Sequence, residues 1–209
     1  MTDNATPAFL DTTSPVRYQA SRRVALVGML TNALLVVGQV AVGIVGHSQA
    51  LVADGMHTLA DLSSDLLVLY ALKHSAKEAD EEHPYGHARI ETAVTLILGV
   101  ILLLVGLGIA LRAGHRLFGD EPFITPSTLT LWVAGFTVLA KEGLYQYTVH
   151  VARRFDSDML RASAWHHRSD AISSIIVFLG IAGTIAGIQM LDALAALGVA
   201  LFVIKIGIQ

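Results

Sequence analysis

The chain has 209 residues, of which 54% are hydrophobic and 15% charged, with a formal charge of −3 and a mean hydropathy of +0.60. Those proportions fall outside the range of a water-soluble globular domain and place the chain in a membrane. The lack of cysteine excludes disulfides and thiolate metal ligands, and no basic stripe suits nucleic acid as a partner.

Residues 1–20 are polar, include Pro7 and Pro15, and read as a flexible tail; no small-residue cleavage site follows them, so they do not resemble a cleavable signal. The first apolar helix is predicted from about Val24 to Val45. Its Asn32 and Gln39 share a face, where hydrogen bonding to neighbouring helices is the plainer role. The second helix is predicted from about Ala50 to Leu72. At 100° per residue its Asp54, His57, Asp61 and Asp65 point within about 80° of one another, and the rest of the helix is Leu, Val and Ala. Asp54 and Asp65 lie at the two ends of that face, as pathway residues or as solvated ones near a helix end.

The loop that follows, "KEADEEHPYGHARIE", spaces Asp80, His83 and His87 three and four apart, with Pro84 and Gly86 setting a turn between the histidines. Carboxylate and imidazole donors at that spacing suit borderline cations; a solvated acidic loop with incidental histidines has an equal claim. The third helix runs from about Thr92 to Leu111, and the fourth from about Ser127 to Val149 with Lys141 and Glu142 interrupting it. A lysine there can snorkel to the interface, while Glu142 invites pairing with Arg168 or a role in relaying protons. The fifth helix runs from about Ala162 to Leu191 and puts Ser163, His166, Asp170 and Ser173 on one face; its "GTIAG" offers a close helix contact. The sixth runs from near Asp192 to Gln209. No proline falls inside a predicted span, in keeping with unbroken helices.

The fold class is therefore an all-α membrane protein of six transmembrane helices, the first three of which each approach the roughly 20 residues that cross a bilayer. With the N-terminus inside, the inner segments hold Arg17, Arg22, Arg23, Lys73, Lys77, Arg89, Arg153, Arg154 and Arg161, and the outer loops only Arg112 and Arg116. That asymmetry predicts cytoplasmic N- and C-termini.

His57-x-x-x-Asp61 and His166-x-x-x-Asp170 repeat one pattern inside two spans. An ionisable group in the hydrocarbon costs about 2.5 to 3.5 kcal/mol on insertion scales and persists where it lines a pathway or has a partner. Bringing the two faces together surrounds one point with two imidazoles and two carboxylates, a tetrahedral shell for a divalent cation such as Zn²⁺. Interhelical hydrogen bonding alone, worth about 0.6 kcal/mol per bond on average, is a poorer reason for so many costly groups. Superposing His57 on His166 also aligns Ser64 with Ser173, a weak internal repeat of the kind transporters build around a midplane site. An intramembrane metal hydrolase is the alternative from another class, although neither HExxH nor a Gly-x-Ser-x-Gly elbow is present; a passive divalent-metal channel is a third reading.

Three stretches, "SQALVADGMHTLADLSSDLL", "ADEEHPYGHARIE" and "SDMLRASAWHHRSDAISS", resemble the cation diffusion facilitator family, six-helix transporters that export divalent metals in exchange for protons. The resemblance implies that His57, Asp61, His166 and Asp170 form the transport site, that Asp80, His83 and His87 match an additional metal-binding loop, and that the chain is a homodimer. "AWHHRSDA" is most similar to members associated with iron as well as zinc. Zn²⁺ is thus the expected cargo and Fe²⁺ the next, with no resident cofactor, in a bacterial inner membrane. Members usually add a cytoplasmic C-terminal domain; residues 21–209 are expected to be the membrane domain by itself.

Overall fold

The computed structural model describes residues 15–74, 88–119 and 124–208, and every regular element among them is a helix. These are α1 (Pro15–Val45), α2 (Gln49–His74), α3 (Ala88–Phe118), α4 (Thr128–Arg154), α5 (Asp158–Ile185) and α6 (Leu191–Ile208). Four helices contain stretches long and apolar enough to cross a membrane: Tyr18–Val45, Gly99–Phe118, Asp158–Ile185 and Leu191–Ile208. The two others, α2 and α4, have comparable lengths of 26 and 27 residues and hold the charges that interrupt the apolar pattern.

Helices α3 and α4 outrun the apolar stretches that announce them, because hydropathy marks only the part of a helix in hydrocarbon. Pro15, the first described residue, is already helical, so residues 15–20 of the expected tail are helical. The fifth stops at Ile185, short of Leu191, where Gly187 takes a φ of 108° and its neighbour Ile188 N–H returns to the Gly183 carbonyl at 2.9 Å.

Side chains are sorted as a bilayer demands. Leu30, Leu34, Trp132, Phe136, Leu139 and Leu179 are exposed, whereas Asn32, Gln39, Asp54, Lys141 and Thr148 are buried. Small residues bring backbones close: Ala50, Ala53, Ala60, Ala196 and Ala200 are fully buried. α4 packs on α5, α1 on α2 and α3 on α6, while α6 also meets α2 and α5, and α2 touches α5.

Two turns repeat one design. In the α1–α2 turn Gly46 N–H reaches Val42 O at 2.7 Å and Ser48 N–H reaches Gly43 O at 3.0 Å. In the α4–α5 turn Phe155 N–H reaches Val151 O at 3.1 Å and Ser157 N–H reaches Ala152 O at 3.0 Å. Between them His47 and Asp156 adopt positive φ, 59° and 45°, a conformation His and Asp tolerate better than most. Ser48 Oγ then accepts from Leu51 N–H at 3.1 Å and Ser157 Oγ from Leu160 N–H at 3.4 Å, capping α2 and α5. These residues correspond in the same register that aligns His57 with His166. The repeat thus extends upstream of the metal-type motifs, and it sets both His-Asp pairs at the same distance from their caps.

The α1–α2 turn, residues 124–127 and the α5–α6 turn share one end of the bundle, called the upper end below. Asp192 fastens it: its carboxylate accepts from Ser48 Oγ at 2.6 Å and Gln49 N–H at 2.9 Å and lies 3.9 Å from Arg116. Gly46 sits where this turn backs onto α4, and a Cβ there would lie 2.3 Å from Thr130 Cγ2 and 2.6 Å from Ser127 Oγ. Gly46→Ala is expected to cost about 1–3 kcal/mol through overpacking, read as a lower unfolding midpoint in detergent; an unchanged midpoint would mean the turn shifts freely.

Candidate metal centre

The local reason for the site is helical spacing. His57 and Asp61 are four apart on α2, and His166 and Asp170 four apart on α5, so each pair stacks on one face. Contact between α2 and α5 then brings the four side chains together. His57 Nε2 is 3.8 Å from Asp61 Oδ2 and 3.8 Å from Asp170 Oδ1. His166 Nε2 is 3.9 Å from Asp61 Oδ1 and 3.6 Å from Asp170 Oδ2. Donor atoms of His57, Asp61 and Asp170 all lie within 4.8 Å of one another. Each imidazole therefore faces both carboxylates, at spacings longer than a hydrogen bond. Ligands bound tetrahedrally at the usual zinc distances are about 3.3 Å apart; the close group comprises His57, Asp61 and Asp170, so a shell of all four residues needs His166 to move inward.

His57, Asp61 and Asp170 are buried, whereas the His166 side chain is 49% exposed, so His166 marks the open flank of the cluster. α6 lies over the other flank, with the Phe202 ring centroid 6.5 Å from that of His57. His57 Nδ1 is buried with no hydrogen-bond partner among the described residues.

The other candidate residues fare differently. Asp80, His83 and His87 lie outside the described residues, as does the side chain of Asp65. Glu142 is held by Arg168, whose Nη1 donates to both carboxylate oxygens at 2.6 and 2.8 Å, and Gln146 Nε2 adds a bond at 2.9 Å. The Arg168 guanidinium also lies over Tyr145, 4.8 Å from the ring centroid. Pairing with Arg168 is thus the role found for Glu142.

Asp54 is not solvated: it is fully buried and accepts from Ser174 Oγ at 3.1 and 3.0 Å and from Gln39 Nε2 at 2.5 Å. Lys141 does not snorkel. It is buried and its Nζ sits 3.4 Å from Asp54 Oδ1. Ser174 and Lys141 were not expected in this cluster. Angular arithmetic holds the missing signal for Ser174, which lies about 40° from Asp170 around the helix, against about 60° for Ser173.

Comparison with known proteins agrees with this architecture. The family described as cation efflux transmembrane domain matches residues 25–209. The chain belongs to this family. Metal tolerance protein 2 of Oryza sativa subsp. japonica is 34% identical over 91% of the chain and 56% of its own length. Manganese efflux system protein MneP of Bacillus subtilis (strain 168) is 34% identical over 92% of the chain and 67% of its own. Mitochondrial metal transporter 2 of Saccharomyces cerevisiae is 32% identical over 90% of the chain and 44% of its own. The chain therefore spans about half to two thirds of the length of these relatives. As a cation efflux transmembrane domain it is a multi-pass integral membrane protein, and the family is one of transporters, not enzymes. The hydrolase alternative falls with that finding.

Proposed function

We propose that this cation efflux domain exports a divalent transition metal, Zn²⁺ first and Fe²⁺ next, in exchange for protons, at a site formed by His57, Asp61, His166 and Asp170. The observation that carries this reading is the meeting of two imidazoles and two carboxylates between α2 and α5, each nitrogen within 3.9 Å of both carboxylates. Two nitrogens and two oxygens suit zinc, whereas Mg²⁺ and Ca²⁺ favour six or more oxygens. Manganese, named for the Bacillus subtilis relative, joins the ions to be compared with these two.

All six helices cross the membrane in this reading, with both termini in the cytoplasm and the upper end of the bundle outside. That orientation follows the basic residues: Arg112 and Arg116 lie at the upper end, and Arg153, Arg154 and Arg161 flank the α4–α5 turn at the other. Residues 21–209 act as the membrane domain of a homodimer in a bacterial inner membrane, and Asp80, His83 and His87 offer the metal a first stop on the cytoplasmic side.

Coupling follows from shared ligands. Metal binding requires deprotonated imidazoles and carboxylates, so protons and metal compete for the same atoms. With the site opening alternately to each side, a proton gradient drives the metal out. Because the ligands must be deprotonated to hold the metal, zinc affinity should fall steeply as the pH is lowered from about 7.5 to about 5.5. Zinc titration of the purified chain checks this; a flat affinity across that range would rule out competition at the site. Zinc flux into proteoliposomes with a pH dye in the lumen tests the exchange itself. Matched proton exit supports an exchanger, and zinc entry without proton movement makes the chain a channel.

A further inference from the structure

Immediately above the metal centre, α2 is tied to three other helices through one carboxylate. Asp54 precedes His57 by one helical turn, and Ser174 follows Asp170 by one turn, so both lie on the upper side of the site. Asp54 accepts from Gln39 on α1 and from Ser174 on α5, and it pairs with Lys141 on α4. Four polar side chains, all buried, thus converge from the four helices α1, α2, α4 and α5. Above them the fully buried Leu51 and Val177 are apolar and follow the same faces of α2 and α5, so the polar column that begins at His166 ends at this node.

Stability does not account for it. A buried ion pair is often no better than apolar residues of equal volume, because desolvation offsets the attraction. Gln39 Oε1 is also buried without a partner, a cost the node accepts. Intramembrane charges that do not earn their place through stability mark a pathway.

We propose that Asp54, Lys141, Gln39 and Ser174 form the outer gate of the transport route, a polar latch that holds α2 against α1, α4 and α5 while the site is reached from the His166 side, and that must part for the metal to leave outward. Once the latch parts, the Asp54 carboxylate lines the exit one turn beyond His57, and Lys141 reclaims it after the metal has gone. The inference rests on the exchange reading given above.

The chain has no cysteine, so Val177→Cys supplies one thiol just outside the node. In right-side-out vesicles without added metal, a membrane-impermeant maleimide supplied outside should label this thiol slowly. Adding Asp54→Asn together with Lys141→Gln removes both charges and leaves no buried ion unpaired; it should raise the labelling rate at least about fivefold by shifting the population towards the outward-open state. Lys141→Arg with Asp54 intact should keep labelling within about twofold of the parent rate. Unchanged labelling in the folded double variant would overturn the gate and leave the node as packing. The transport reading fails separately, if Asp61→Ala retains full zinc flux.

Discussion

Asp61→Ala and Asp170→Ala should each abolish zinc flux into proteoliposomes and weaken zinc binding by at least about 100-fold, since loss of an outer-shell partner alone costs 10- to 100-fold. The reasoning is geometric. Each carboxylate stands between both imidazoles, with His57 3.8 Å from each and His166 3.9 and 3.6 Å away. Removing either leaves three donors gathered on one side of the cation, an open shell that water must complete. The effect should be equal for the two aspartates, because they occupy matching positions in the repeat. A variant that keeps zinc affinity but loses flux would place that residue in the conformational cycle and not in the first coordination shell. Glu142→Gln is the useful contrast: its carboxylate is committed to Arg168, so zinc affinity should stay within about threefold of the parent.

The second large effect concerns Lys141. Lys141→Met removes the only cation within ion-pair distance of Asp54 among the described residues, and leaves that carboxylate buried with two neutral donors. Stranding one partner of a buried pair costs about 3–5 kcal/mol. The single variant should therefore unfold at a markedly lower midpoint in detergent. Adding Asp54→Asn should recover most of the loss, since the amide keeps an acceptor for Ser174 and carries no charge to desolvate. Non-additivity of that size is the signature of direct coupling. If the two substitutions lower the midpoint additively, the charges do not interact and Lys141 finds its compensation elsewhere.

Much of the site was legible because helical periodicity is local. Spacing of four residues puts His57 over Asp61 and His166 over Asp170 whatever surrounds the helices, and the cost of such groups in hydrocarbon points to a partner before any partner is known. The capped turns carry a local signal as well, one that the spacing of the motifs does not include: Ser48 and Ser157 stand just ahead of the helices that they cap, at equal distances from the two histidines. Apart from those serines, the upstream part of the repeat is faint in the sequence, because His47 and Asp156, or Gly46 and Phe155, share no side-chain chemistry. Only their backbone conformation matches.

What the sequence determined by itself is the membrane class, the helices and the two stacked His-Asp pairs, all consequences of composition and of a 3.6-residue period. What the tertiary structure decided is which faces meet. Contact between α2 and α5 turns two pairs into one four-donor cluster, and the packing of α1 and α4 on the same bundle delivers Gln39 and Lys141 to Asp54. A lysine inside an apolar helix can equally snorkel or find a buried anion. The choice depends on the rotation and height of its helix against its neighbours, which are fixed by side-chain packing among helices far apart in sequence and carry no local periodic signal.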